Sequence, residues 1–295
     1  MKKRKKCFIL IGIILFLIIL ALVLFFLNKQ STNQKALATT KSLVTLQREY
    51  EKDFKTEGYT IDDPNVILDP YHISPLTALV LFETEEEVTP TVTIEGKDDL
   101  TTYTHTFEAS KIHQLPIYGL YPDQENEVRI KYEENGETIE KTITIQTDPL
   151  PDDFILPTSV TAEKDSLNND LYFFTPSSKG YTCAYDVNGD VRWYLTNYAL
   201  WDNARLENGH MLISTERLIN SPYYMTGLYE IDLLGKIYVE YSLPGGYHHD
   251  YDELPNGNLL VASDNFDSGA GTVEDYVVEL DRKTGNIVKT FDIKD

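Results

Sequence analysis

Two of the six histidines in this 295-residue chain are adjacent, in the stretch GGYHHDYDELPNGNLL at 245–260. A neutral imidazole is a nucleophile and a proton acceptor near pH 7, and a carboxylate such as Asp250 could orient the ring. The Asn-Gly pair that follows predicts a tight turn, because these residues adopt positive φ angles. His248 and His249 therefore precede a predicted pair of strands. They either form a site or are loop residues, with Asp250 as a turn former.

The sequence around the two histidines is repeated. YALWDNARLENGHMLIST at 198–215 aligns with GYHHDYDELPNGNLLVAS at 246–263 with a shift of 48 positions. A second element recurs as an apolar strand, an Asp, a Gly and another strand, with the Asp at 186, 232 and 281. A period of roughly 46 to 49 residues built from four short strands is typical of β-propeller blades.

The repeat predicts where the candidate residues lie. In a propeller the innermost strand of each blade lines the central channel, and the residues that precede those strands converge. Strand alternation should point one of His248 and His249 inward and the other aside, without indicating which. Tyr198 and Trp201 precede the equivalent strand one blade earlier. They either line a pocket for an aromatic group or pack between blades.

The first half of the chain indicates other elements. Residues 62–148 contain about seven short runs rich in Thr, Val, Ile and Tyr with a period of two, which predicts a small β-sandwich of the immunoglobulin or fibronectin type. ENGE at 134–137 predicts a hairpin turn. Residues 149–157 form a proline-containing linker to the blades at 158–295, and residues 28–61 form a polar, partly helical stalk.

The N-terminus has the pattern of a membrane anchor. Five basic residues precede an uncharged apolar run from Cys7 to Leu27, and about 20 apolar residues in a helix span a bilayer core. We expect residues 1–27 to cross the cell membrane once, with the N-terminus in the cytoplasm and the rest outside. An uncleaved anchor is favoured, and AlaLeuAla at 36–38 leaves cleavage as the alternative. The net charge of −21 argues against nucleic acid as a partner.

Several motifs together resemble a known family. PYHISPLTALVLF, GLYPDQENEVRIKY, RLENGHMLIST, YHHDYDELPNGNLLVAS and TVEDYVVELDRKTGNIVKTFDI occur in this order. They are similar to the aryl-sulfate sulfotransferases that work outside the cytoplasm, and the likeness extends from about Asp62 to Asp295.

The resemblance implies an activity. In that family a histidine carries a sulfuryl group from a phenolic sulfate ester to a phenol, in a six-bladed propeller that needs no cofactor. The histidine of the HHD motif is a supporting residue, and His248 or His249 inherits that role, with Asp250 as a possible orienter. No metal site is predicted, since the acidic loop at 263–275 lacks the spacing of an EF-hand.

The likeness is to the N-terminal half of such an enzyme. About 140 residues follow the linker, which is room for roughly three blades, and the resemblance places the nucleophilic histidine on later blades. We therefore expect an all-β fold, a β-sandwich followed by an incomplete β-propeller, preceded by one transmembrane helix. The remaining blades would come from a second copy or another chain. The alternative is an inactive membrane-anchored binding module or a truncated gene product.

Overall fold

A computed structural model describes residues 18–24, 44–161, 163, 167–176, 180–199, 201, 203–220, 224–264 and 276–293. Two compact units are present, Met1–Glu49 and Tyr50–Asp295. Residues 18–24 and 44–50 are helical, and a 3-10 turn follows at Glu51–Asp53. No helix within these described ranges is long and apolar enough to cross a membrane. Most of the predicted anchor, Cys7–Leu27, lies outside the described residues.

The first half of the larger unit is a sandwich of two antiparallel sheets. One has the strand order β1-β2-β5 and the other β4-β3-β6-β7. The seven strands are β1 Asn65–Leu68, β2 Ala78–Val88, β3 Thr91–Ile94, β4 Tyr103–Thr106, β5 Ser110–Ile117, β6 Glu125–Glu134 and β7 Glu137–Gln146. Their inward side chains, among them Val80, Phe82, Val128 and Ile130, form one buried core. The predicted β-sandwich is confirmed.

The predicted hairpin at 134–137 joins the two longest strands of the second sheet. β6 and β7 pair from Glu125 with Gln146 to Glu134 with Glu137 without interruption. Asn135 and Gly136 have φ angles of 53° and 79°. Positive φ at both central residues matches the right-handed twist of the flanking strands, so this turn sets the register of the whole pair.

Three further antiparallel sheets follow along the chain. The third sheet has the order β10-β9-β8, the fourth β11-β12-β14 with β13 and β15 both paired to β14, and the fifth β16-β17-β18-β19. Their strands are β8 Tyr172–Phe174, β9 Cys183–Tyr185, β10 Val191–Tyr194, β11 Ala204–Arg205, β12 Met211–Ser214, β13 Leu218–Asn220, β14 Tyr224–Ile231, β15 Ile237–Tyr247, β16 Tyr251–Glu253, β17 Leu259–Ser263, β18 Tyr276–Leu280 and β19 Ile287–Asp292. Across the described residues these sheets are open and form no closed ring, so the propeller stays a prediction.

The two repeated sequence elements form repeated turns. The Gly189, Gly235 and Gly285 N–H groups each donate to the carbonyl of the preceding Asp of the motif. Gly209 and Gly257 likewise donate to Leu206 and Leu254, at equivalent positions of the fourth and fifth sheets. The shift of 48 positions therefore describes a real structural repeat.

Apolar side chains fill the space between the fourth and fifth sheets. Leu212 and Leu228 pack there with Tyr241, Val261 and Leu280. Because each of these two sheets covers one face of the other, neither buries its apolar face alone. This contact fixes the ends of the edge strands β11 and β16 relative to each other.

A buried arginine joins the sandwich to the third sheet. Arg192, fully buried on β10, donates to the carbonyls of Gly119 (2.7 Å) and Thr101 (2.9 Å) in the sandwich. It also pairs with the buried carboxylate of Asp186 at 3.1 Å and lies 3.8 Å from the ring centroid of Tyr121. These contacts hold the two parts together at a point from which water is excluded.

Candidate active site

The paired histidines lie in the short connection between β15 and β16. The His248 N–H donates to the Ala262 carbonyl (3.4 Å), and the Ala262 N–H donates to the Asp250 carbonyl (3.0 Å). His249 lies between these two bonds and outside the ladder, like the extra residue of a β-bulge. Its φ angle is 65°, which is uncommon for a residue other than glycine. This bulge therefore sets the direction of the His249 side chain.

The two imidazoles have different surroundings. The side chain of His248 is fully buried, whereas His249 is exposed. The His248 ring lies edge-on to that of Tyr224, with 4.7 Å between the ring centroids, and edge-on to that of His249 at 5.1 Å. His248 is thus packed inside the fold, and His249 faces solvent.

Trp201 reaches His249 from the preceding repeat. The two ring centroids are 4.0 Å apart. Trp201 occupies the position equivalent to His249 under the shift of 48, and its φ angle is also positive, at 71°. Two successive repeats therefore hold a residue that precedes their first strand, β11 or β16, in the left-handed region, and these two side chains meet. We name Trp201, Tyr224, His248 and His249 the histidine cluster.

Glycines 245 and 246 allow the chain to approach the histidine cluster closely. A Cβ on Gly245 would lie 1.9 Å from the Asp264 carbonyl oxygen and 2.6 Å from the Ser263 hydroxyl. Gly246 has a φ angle of 71°, and its carbonyl accepts a hydrogen bond from the Ser263 hydroxyl at 2.8 Å. Only glycine fits against the end of β17 at these positions. The two glycines thus let the backbone that leads to His248 pack against Ser263 and Asp264.

The other two candidate residues lie beside the histidine cluster. The Asp250 carboxylate accepts a hydrogen bond from the Tyr251 N–H at 2.8 Å and is exposed, which matches its interpretation as a turn former. Tyr198 is 42% exposed, and none of the ring contacts between described residues joins it to the histidine cluster. Tyr224, which the sequence interpretation missed, contacts His248 instead. It begins β14 and lies outside the quoted repeat.

Comparison with known proteins gives the family. The arylsulfotransferase model matches residues 157–295, and the arylsulfotransferase Ig-like domain matches residues 65–148. The chain belongs to the arylsulfotransferase family. The histidine cluster falls inside the first match, and the sandwich falls inside the second.

Two curated relatives extend this comparison. The arylsulfate sulfotransferase AssT of Escherichia coli O6:H1 is 24% identical over 299 aligned residues, and AssT of Lelliottia amnigena is 23% identical. Each alignment covers 77% of this chain and 48% of the relative. The chain therefore spans about half the length of the curated relatives it matches.

The arylsulfotransferase domain also contains a charged network that sequence reasoning missed. Glu230 is 5% exposed, and its two carboxylate oxygens accept hydrogen bonds from Arg282 at 2.7 and 2.9 Å. His210 Nδ1 donates at 2.7 Å and the Tyr241 hydroxyl at 2.9 Å. Burial acts to raise the pKa of Glu230, but the hydrogen bonds from Arg282, His210 and Tyr241 outweigh it and lower that pKa to about 2. The network links the fourth sheet to the fifth.

The sequence repeat contains residues that indicate part of this network. In the fifth sheet, Asn256 and Asn258 donate to Glu279 Oε1 at 3.3 and 2.6 Å, as Asn208 and His210 contact Glu230 in the fourth. The aligned pairs Asn208/Asn256 and His210/Asn258 were visible in the sequence. His210 is half-buried, and it contacts the Glu230 carboxylate and the Tyr238 ring.

Proposed function

We propose that this arylsulfotransferase takes part in moving a sulfuryl group from a phenolic sulfate ester to a phenol. Family membership and the activity for which the two AssT relatives are named support this reaction. The contact between Trp201 and His249 is the observation that carries it, since an aromatic ring and an exposed imidazole meet at the ends of two adjacent innermost strands.

The reaction balances without a cofactor. A histidine nitrogen attacks the sulfur, the bond between sulfur and the aryl oxygen breaks, and the leaving phenolate takes the electron pair and then a proton. The acceptor phenol oxygen next attacks the same sulfur, the sulfur–nitrogen bond breaks, and the phenol proton passes to a base. In the family that the sequence resembles, the nucleophilic histidine lies on later blades. We assign the nucleophilic step to that histidine. This chain contributes the supporting imidazole.

His249 fits that supporting role better than His248. Its ring is exposed and can exchange a proton with the phenol oxygen or donate a hydrogen bond to a sulfuryl oxygen. His248 is buried behind it against Tyr224, where it supports the position of its neighbour. Trp201 offers an aromatic face beside His249, on which a phenolic ring can stack.

The strained backbone supports the same assignment. A left-handed φ on a non-glycine residue costs on the order of 1–3 kcal/mol and persists only when the surroundings impose it. Such strain clusters at functional sites, and here it occurs at two equivalent positions whose side chains meet. The Asn-Gly turns of the same two repeats place glycine at positive φ, at Gly209 and Gly257.

The remaining architecture follows as a proposal. We take the third, fourth and fifth sheets as consecutive propeller blades, with β8, β11 and β16 innermost. The apolar run at the N-terminus would anchor the protein in the membrane, with both arylsulfotransferase domains outside the cytoplasm. There an aryl sulfate donor replaces the intracellular nucleotide donor.

A transfer assay tests the proposed function. The chain, assembled with the partner that supplies the remaining blades, is incubated with 4-nitrophenyl sulfate and phenol, and release of 4-nitrophenolate and formation of phenyl sulfate are measured together. We expect His249→Asn to lower turnover by about a hundredfold, because Asn tolerates the left-handed backbone but lacks the imidazole.

The matched control is His72→Asn. His72 also has a left-handed φ, of 59°, but lies in the sandwich part of the fold. Its substitution should leave turnover unchanged. Equal turnover of the wild-type and His249→Asn proteins, or no phenyl sulfate formed by folded wild-type protein, would contradict the proposal.

A further inference from the structure

A cavity of about 710 Å³ lies between the sandwich and the third and fourth sheets. The sandwich contributes β3 and β4, the end of β5 and Tyr118, and the other wall comes from Phe173 and Arg205 with their neighbours. Its volume is in the range of cavities that hold small organic molecules. Trp201, His248 and His249 are not among the residues that line it, so it is separate from the histidine cluster.

Aromatic side chains dominate the cavity wall. Tyr103, Phe107, Tyr118 and Phe173 all line it and are half-buried. Neighbours hold three of these rings: Arg192 lies 4.7 Å from the centroid of Tyr103, His105 4.6 Å from Phe107, and Trp193 5.4 Å from Phe173. The wall is therefore a preformed surface on which an aromatic ring can stack.

The charge of the cavity is opposite to that of the protein. The whole chain has 47 acidic and 26 basic residues, yet no described residue lining the cavity is acidic. Arg205 lies at its edge, exposed, and has no ion-pair partner among the described residues. A guanidinium without a carboxylate favours an anionic group, to which it can donate two parallel hydrogen bonds.

We infer that this cavity is a binding site for a small aromatic anion, an arene of one or two rings that carries one negatively charged group. The rings of Tyr103, Phe107, Tyr118 and Phe173 hold the arene, and Arg205 holds the anionic group. The inference does not depend on the proposed sulfuryl transfer. Aryl sulfates and aryl carboxylates share this chemistry.

A series of probes on one ring system tests the site by calorimetry. The probes are 2-naphthalenesulfonate and 2-naphthoate, which have no transferable sulfuryl group, and the uncharged 2-naphthalenemethanol. We expect both anions to bind the full chain about tenfold more tightly than the alcohol. Binding of the sulfonate alone would restrict the site to sulfate-like groups. Equal affinity for all three probes, or no binding, would overturn the inference.

Substitutions then locate the binding. Arg205→Gln should remove the tenfold preference for anions, whereas Arg129→Gln, on a surface strand of the sandwich, should retain it.

His249→Asn separates this site from the proposed active site. It should leave unchanged the part of the preference for anions over 2-naphthalenemethanol that depends on Arg205. Binding lost in His249→Asn but kept in Arg205→Gln would place the ligand at the histidine cluster and refute the cavity as its site.

Discussion

At the scale of single residues, the backbone around the histidines is shaped by what each position permits. Trp201 and His249 adopt left-handed angles that glycine usually provides, while Gly245 is required because a carbonyl oxygen lies against it. The sequence showed that the repeats align at these positions. It did not show which residue has the strained backbone. The φ angle of His249 follows from the bulge, in which His248 and Asp250 both hydrogen-bond to Ala262.

Gly245→Ala tests the close approach beneath the histidine cluster. The added methyl would meet the Asp264 carbonyl at 1.9 Å, so β15 or β17 has to shift. We expect a loss of at least about 2 kcal/mol in the free energy of unfolding, measured with urea. Gly257→Ala is the control, because a Cβ there meets nothing within 4 Å and only the positive φ opposes it, at about 1 kcal/mol. Equal losses for both variants would contradict the packing argument.

At the scale of elements, ion pairs as well as apolar contacts join the fourth sheet to the fifth. Arg282 donates to Glu230 of the fourth sheet and, at 2.6 Å, to Glu253 of its own sheet. Glu253 in turn accepts a hydrogen bond from the Glu207 N–H at 2.9 Å. The fifth sheet thus supplies the cation for Glu230, and the fourth supplies an N–H donor for Glu253. The buried carboxylate of Glu230 therefore stays ionised.

This arrangement predicts a loss of stability in acid. The pKa of Glu230 is about 2 in the folded chain and about 4.3 in an unfolded one, so its contribution is complete above about pH 5 and is lost as the pH falls toward 2. The difference corresponds to roughly 2–3 kcal/mol. Urea unfolding between pH 6 and pH 2.5 measures it.

The matched substitution is Glu230→Gln, which cannot ionise. It should lower stability at pH 6 and flatten the dependence on pH below 5, relative to the wild-type protein. Glu279→Gln, at the equivalent but more exposed position, should leave the dependence close to that of the wild type. An unchanged acid slope in Glu230→Gln would contradict the assignment.

At the scale of the whole molecule, the sandwich and the third sheet share one core. Cys183, Val191 and Tyr194 belong to the same buried cluster as Val80 and Phe82. Arg192 adds a buried cation that both parts satisfy. We therefore expect the residues from Tyr50 onward to unfold together.

Replacing Arg192 with Met tests this coupling. The substitution leaves the Asp186 carboxylate buried without its cation, which typically costs about 3–5 kcal/mol. Calorimetry should show a lower melting temperature and two separate transitions in place of one. Lys97→Met is the control, since its ion pair with Asp190 is exposed and contributes about 0–1 kcal/mol. A single transition at the wild-type temperature in Arg192→Met would contradict the coupling.

The sequence predicted those features that depend on local pattern. Period-two strands, the Asn135-Gly136 turn and the 48-residue repeat follow from neighbouring residues, and the structure has all three. Contacts between distant positions were not predictable from one sequence. Neither spacing nor composition indicates that Arg192 reaches Gly119, that Arg282 reaches Glu230, or that Tyr224 covers His248.

The central claim is that His249 meets the aryl sulfate, and imidazole NMR tests it most directly. In a chain labelled with 15N-histidine, we would follow all ring resonances while 4-nitrophenyl sulfate is added, using His249→Asn to assign the signal of interest. The account predicts a saturable shift of the His249 ring signal and none for His72, with any response of His105 reporting the separate cavity. An unchanged His249 signal at a donor concentration that saturates the protein would contradict the account.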